Sequence, residues 1–195
     1  TYTPDKALPK AVWIDLDGTL ALNTSRGHHD YDKVGTDTPR LEIISMLKAW
    51  MKQDNLQPIF MSGRPDSCRE DTYTWLQKYF PQEEYGYLYL YMRTTGDMRS
   101  DRIIKEELFW EYLAPNWNIV ASVDDRPRVV RLQKDLGIPN VIDVSRTYLE
   151  FKKKNKLPLK FWWLLFCEVV WRLIAWLVIP FTMLFLKKAD MSEIQ

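Results

Sequence analysis

Along residues 1–150, short apolar runs alternate with stretches whose apolar positions recur at helical spacing. The apolar runs predict strands over 11–15, 57–61, 87–92, 118–123 and 140–144. Helices are expected over 39–53, 69–79, 101–113 and 126–136. The first of these has Pro39 in its opening turn behind Asp37 or Thr38 as a cap, and the last stops at Gly137. This alternation predicts an α/β fold, a doubly wound parallel sheet with ligands at the C-terminal ends of its strands. Asn23 to Asp37 is polar and turn-rich and reads as a short flap. The segment 65–104 leaves no room for a large cap domain, so the site is expected to be open and to suit a bulky or polymeric substrate. Tyr85, Tyr87, Tyr89 and Tyr91 alternate, which leaves one face of that strand open to solvent. Trp50, Trp110 and Trp117 read as core.

Beyond residue 150 the pattern changes. Residues 151–160 form a basic linker carrying five lysines, and 187–195 a short polar tail. Between them, Phe161 to Leu186 is a 26-residue run with two charges, Glu168 and Arg172. As a helix it would measure about 39 Å, enough to cross a hydrocarbon core of about 30 Å with tilt. Glu168 and Arg172 are spaced to pair along a helix, and Trp162, Trp163 and Trp176 suit an interface. The expectation is a C-terminal hydrophobic helix that attaches the chain to a membrane. A helix docked on the domain of residues 1–150 or lying flat in the interface is the alternative. The flanking lysines place the domain of residues 1–150 on the cytoplasmic side.

Charge follows the same division. The chain as a whole carries +1, but 151–195 carries a net +5 and 1–150 a net −4. A mildly acidic domain argues against a surface that coats nucleic acid, though not against a pocket gripping one strand end. Cys68 and Cys167 form no disulfide framework or zinc motif, so a reducing compartment is expected. The first residues hold no apolar stretch of the kind a secretory signal needs.

Candidate chemistry sits at the strand ends. Asp15-Leu16-Asp17-Gly18-Thr19 follows the run Ala11 to Ile14. Two carboxylates two residues apart at a strand end suit phosphoryl transfer: one attacks phosphorus, the other handles the leaving group's proton, and Mg²⁺ offsets the charge. Otherwise they cap a turn. Ser62-Gly63-Arg64 follows the second strand and offers a hydroxyl, a flexible amide and a guanidinium to a phosphate. Lys105, early in the third helix, can neutralise both a carboxylate and a transferring phosphoryl group. Asp124-Asp125 ends the fourth strand and completes an acidic, oxygen-only site with Asp15 that suits Mg²⁺. Each alone has an ordinary reading, as a turn, a solvated lysine or a helix cap; together, in this order, they point to one site.

The order resembles the haloacid-dehalogenase superfamily of aspartate-nucleophile phosphatases. The resemblance is closest to the branch formed by the 3′-phosphatase domain of phage polynucleotide kinase. The stretches Lys10 to Ala21, Ser62 to Arg64, Gly96 to Asp101, Lys105 to Trp110 and Ala121 to Arg126 carry it. It implies Asp15 as the nucleophile that becomes an aspartyl-phosphate. Asp17 would be the general acid and then base, its backbone carbonyl touching the metal, with Asp124 and Asp125 completing the Mg²⁺ shell. Ser62, Gly63, Arg64 and Lys105 would hold the phosphate, and Arg26 and Asp101 match further positions counted with them. His28 and His29 beside Arg26 take no catalytic role.

The implied activity is Mg²⁺-dependent removal of 3′-phosphates from DNA or RNA ends. No Gly-x-x-x-x-Gly-Lys-Ser/Thr loop occurs, so no 5′-kinase activity is expected, and a kinase or ligase would act in trans. Two alternatives stay open: a nucleotidase or other small-molecule phosphatase, and a membrane-tethered binding protein or scaffold on the same fold.

Overall fold

The computed structural model describes residues 1–27 and 29–145. The chain divides there into two units, Thr1–Ser145 and Arg146–Gln195. The apolar run 161–186 therefore lies outside the described residues, as does His28. Among the described residues no helix is long and apolar enough to cross a membrane.

The chain opens with strand β1 (Lys10–Asp15), followed by the two-residue strands β2 (Ala21–Leu22) and β3 (Thr38–Pro39). Helix α1 (Leu41–Asp54) leads to β4 (Gln57–Pro65), then to α2 (Arg69–Tyr79), the single turn α3 (Gln82–Tyr85) and β5 (Tyr89–Arg93). Helix α4 (Asp101–Leu108) runs on into a wider turn at Phe109–Leu113. The unit closes with β6 (Asn118–Asp124), α5 (Pro127–Leu136) and β7 (Val141–Asp143). The five longer-range strands form one sheet in the order β5-β4-β1-β6-β7, with every pairing parallel. This is the expected α/β architecture with a parallel central sheet.

Strand order reverses at β1, because the chain goes out to β4 and β5 on one side and returns to β6 on the other. A ligand crevice belongs at that switch point. Register makes it specific. Asp15 aligns with Met61 on one side, and Ile14 with Val123 on the other. Asp15, Ser62 and Asp124 thus leave neighbouring strands side by side.

Period-2 alternation splits β1 between two cores. Val12 and Ile14 join Phe60, Val123, Leu47 and Trp75 beneath α1 and α2. Ala11 and Trp13 join Met61, Ile119, Phe109 and Val129 on the face of α4 and α5. Trp13 stacks on Phe109 at 5.6 Å between centroids and is fully buried. Truncating such a side chain costs about 3–5 kcal/mol, so the strand that carries the site is anchored on both faces.

Three expectations shift. Helix α1 starts at Leu41, not residue 39, because Thr38 and Pro39 pair with Leu22 and Ala21. Trp110 is half-exposed, whereas Trp117 packs against the second core. The tyrosine face of β5 is only partly open: Leu88, Leu90 and Met92 face one core, while Tyr89 and Tyr91 lean on Trp117 and Tyr112.

Candidate active site

Gly18 makes the turn that places the first motif. It adopts φ +88°, donates its amide to Ala21, and lacks the Cβ that would strike the Asp125 carboxylate. Leu16 accepts backbone hydrogen bonds from Leu20 and Ala21, closing the loop tightly. The two aspartates of the motif therefore part company, each entering a different charge cluster.

Asp15 enters an acidic one and is 2% exposed. Its Oδ1 lies 2.6 Å from Lys105 Nζ, and its Oδ2 accepts from Thr19 Oγ1 at 2.8 Å. Lys105 also reaches Asp124 Oδ2 at 2.8 Å and Asp101 Oδ2 at 3.7 Å. Asp15, Asp124 and Asp125 each bring a carboxylate oxygen within 4.8 Å of the others. Burial, then Asp124, pushes the Asp15 pKa well above the usual carboxylate range, despite the opposing pull of Lys105. Burial and Asp124 likewise push Asp125 up to about 6. Burial works against the Lys105 ammonium, but Asp124 and Asp15 outweigh it and raise its pKa. The Oδ1 atom of Asp125 is buried with no hydrogen-bond partner.

Three carboxylates within reach of one another, with an orphaned oxygen among them, fit a hard divalent cation with oxygen ligands. Asp15, Asp124 and Asp125 are the side chains able to hold one.

Asp17 enters a second cluster. Arg64 grips it with Nε at 2.9 Å and Nη2 at 2.8 Å, and Ser62 Oγ donates at 3.3 Å. Arg26 Nη2 adds a contact at 3.3 Å. Burial pushes the Asp17 pKa up, but the Arg64 guanidinium outweighs it and leaves the carboxyl below its usual value. The Asp17 side chain therefore stands with the arginines rather than with the three-carboxylate group.

The organiser of this second cluster is Asp37, which sequence reasoning treated only as a cap for α1. Its carboxylate is fully buried and accepts two bonds from Arg26, at 2.7 and 2.8 Å, and one from Arg64, at 2.7 Å. Trp75 Nε1 donates to the Asp37 carbonyl at 2.9 Å. Arg40 was missed as well. Its Nη1 ties the Gly18 carbonyl at 2.6 Å to that of Val144 at 3.1 Å, cross-linking the turn after Asp17 to the chain after β7. No local motif marks either residue, since their partners are distant in sequence.

The remaining candidates stand around these two clusters. Asp101 accepts from Arg126 at 2.9 Å and presses close to Gly63, where a Cβ would collide with it. As a carboxylate beside Lys105 it props cations instead of touching an anion. A cleft of about 410 Å³ opens from Asp17 and Arg64, lined further by Tyr31, Arg93, Met98 and Arg126. A wider hollow of about 800 Å³ lies at the opposite strand ends, near Lys10, Gln57 and Glu84, away from every group with chemistry to offer.

Comparison with known proteins agrees with this geometry. Residues 9–147 match the family model described as the polynucleotide kinase PNKP phosphatase domain. A putative bifunctional polynucleotide kinase/RNA ligase of Autographa californica nuclear polyhedrosis virus is 42% identical over 153 residues, which cover 77% of this chain and 22% of the viral protein. Two solved structures of a Pnkp1/Rnl/Hen1 complex, one described as an RNA repair complex, superpose with TM-scores of 0.64 and 0.66 at 36% identity. These matches cover 74% of this chain and 46% and 49% of the matched chains. The chain thus spans about a fifth of the viral relative and about half of the structural ones. Over its described residues the chain belongs to the family of polynucleotide kinase phosphatase domains, phosphatases of the haloacid-dehalogenase type.

Proposed function

We propose that this phosphatase removes 3′-phosphates from nucleic-acid ends, using Asp15 as nucleophile and Mg²⁺ as cofactor. The observation that carries the reading is the division of the two motif aspartates between an electron-rich cluster and an arginine-balanced one. Asp15 faces the site where a cation and a phosphate meet; Asp17 stands on the side where a leaving group departs.

In this reading Asp15 attacks phosphorus to form an aspartyl-phosphate. Asp17 gives a proton to the departing 3′-oxygen and then takes one from the water that hydrolyses the acyl phosphate. Arg64 holds Asp17 ionised at rest. A substrate phosphate competes for the Arg64 and Arg26 donors, and loss of those bonds lets burial raise the Asp17 pKa toward that of an acid. Ser62, the Gly63 amide, Arg64 and Lys105 line the phosphate seat, while Asp37 and Asp101 hold its cations in place. A bound Mg²⁺ would neutralise the crowded carboxylates and polarise the phosphoryl oxygens. Asp15, Asp124 and Asp125 would hold it, together with the Asp17 carbonyl.

The relatives, by the names they carry, support an RNA end as substrate and a kinase or ligase working alongside this phosphatase. The apolar run 161–186 with its flanking lysines supports membrane attachment, with the catalytic unit on the cytoplasmic side. The test uses the full chain in detergent. It should convert a 3′-phosphorylated oligonucleotide to the 3′-hydroxyl in Mg²⁺, faster than it acts on a mononucleotide, and Asp15→Asn should be inactive. Equal or better rates on mononucleotides would assign it to the nucleotidases instead.

A further inference from the structure

Met98 is 92% exposed, more than any other large apolar side chain among the described residues. Mobility does not account for this, because its loop is tied on every side. Arg93 Nη1 donates to the carbonyls of Asp97 at 2.8 Å and Arg99 at 2.7 Å, and its Nε donates to that of Gly63 at 2.8 Å. The Thr95 hydroxyl and amide both donate to Asp66. Asp97 accepts the Arg99 amide and guanidinium, and Arg99 reaches on to Glu107 at 2.6 and 2.8 Å. Gly96, at φ +89°, makes the turn. A lattice of polar bonds thus lifts one thioether into solvent on the lip of the cleft that opens from Asp17 and Arg64. Tyr31, on the flap, lines the same cleft and packs its ring edge-to-face with His29.

We propose that Met98 and Tyr31 form a clamp for the nucleobase of the nucleotide that bears the phosphate. The inference rests on the 3′-end reading above and adds what that reading lacks, the feature that recognises a nucleoside rather than any phosphomonoester. A phosphate lodged between Asp15 and Arg64 must carry its leaving group outward past Asp17, and the cleft there has room for about one nucleotide. An aromatic ring and a polarizable thioether grip a flat base without reading its edges, which suits an enzyme that must accept any terminal base. The polar bonds around the loop prepay the ordering of the lip.

The test compares two substrates, a 3′-phosphorylated oligonucleotide and the same strand with an abasic terminal residue, on the full chain and two variants. Met98→Ala removes the lip, and Tyr31→Leu removes the aromatic face while keeping apolar bulk against the core. Stacking of a base on an aromatic side chain is worth about 5- to 150-fold in affinity. The variants should therefore raise KM on the intact end by about 10-fold, leave the abasic end unchanged, and leave Tm at the wild-type value. An equal loss on both ends, or no change on either, overturns the clamp while the 3′-phosphatase reading stands. A wild-type chain that processes neither end defeats both.

Discussion

Two buried charge clusters lie a few residues apart at the same strand tips, and they are built to opposite balances. Around Asp15, four carboxylates, Asp15, Asp101, Asp124 and Asp125, face two cations, Lys105 and Arg126. Around Asp17, two carboxylates, Asp17 and Asp37, meet two guanidiniums, Arg26 and Arg64. The first is short of positive charge and the second is neutral as it stands. An excess of buried anions is tolerable only with raised pKa values or an added cation, and both Asp15 and Asp125 show the first of these. A neutral cluster needs nothing added, yet its guanidiniums can be drawn off by a competing anion. On the proposed reading, the molecule would take a cation on one side of the reacting phosphorus and exchange an internal anion for an external one on the other.

The sharpest way to break this contrast is to remove one keystone from each side. Lys105→Met should destabilise the protein by about 3–5 kcal/mol, because it leaves carboxylates buried and unpaired. Mg²⁺ should restore much of the lost Tm. Asp37→Leu should destabilise by a similar amount by leaving two guanidiniums to share Asp17 alone, and there inorganic phosphate, not Mg²⁺, should restore Tm. Thermal melts with each ion decide the matter; identical rescue of both variants by both ions would erase the distinction.

A smaller effect follows from pH. Asp125 titrates near 6 in the folded protein and near 4 when unfolded, and Asp15 is raised in the same direction. A carboxyl raised on folding contributes stability at low pH and loses it as pH climbs through the folded value. The metal-free protein should therefore lose stability between about pH 4 and pH 6 and above. The Tm gain from Mg²⁺ should be larger at pH 7.5 than at pH 5. Asp17, shifted the other way, opposes this at the acid end of the window, where its unfolded form still takes up protons, and no longer affects the slope at higher pH. A Mg²⁺ effect independent of pH would mean the cation binds elsewhere.

The smallest expected change is at Trp75, whose indole holds the Asp37 carbonyl. Trp75→Phe removes that bond and some volume, for about 1–2 kcal/mol in chemical denaturation. Because the Asp37 side chain keeps its arginines, Mg²⁺ affinity should not move.

Much of this was legible in the sequence, for a definite reason. Strands such as Ala11–Asp15 and Asn118–Asp124 announce themselves by apolar runs, and the groups that follow them inherit a shared location from the parallel topology. Asp15, Ser62, Arg64, Lys105 and Asp124 could therefore be brought together before any coordinates. Asp37 could not. Its meaning lies in Arg26 and Arg64, 11 and 27 residues away, and its position before a helix offered a sufficient local explanation. Thr19 shows the same limit: nothing in the local pattern marks its hydroxyl as the donor to Asp15 Oδ2. Met98 was visible only as part of a motif, because its significance is exposure, which pattern does not encode.

If Asp15 is the nucleophile toward phosphorus and the Asp17 side chain moves protons, the covalent intermediate must form on Asp15. Acid quenching during turnover of a 3′-phosphorylated oligonucleotide, followed by mass spectrometry of the digested chain, reads this directly. A phosphoryl adduct on the peptide carrying Asp15, absent from Asp15→Asn, is the predicted result. An adduct mapped to another residue, or undiminished turnover by Asp15→Asn, would contradict it.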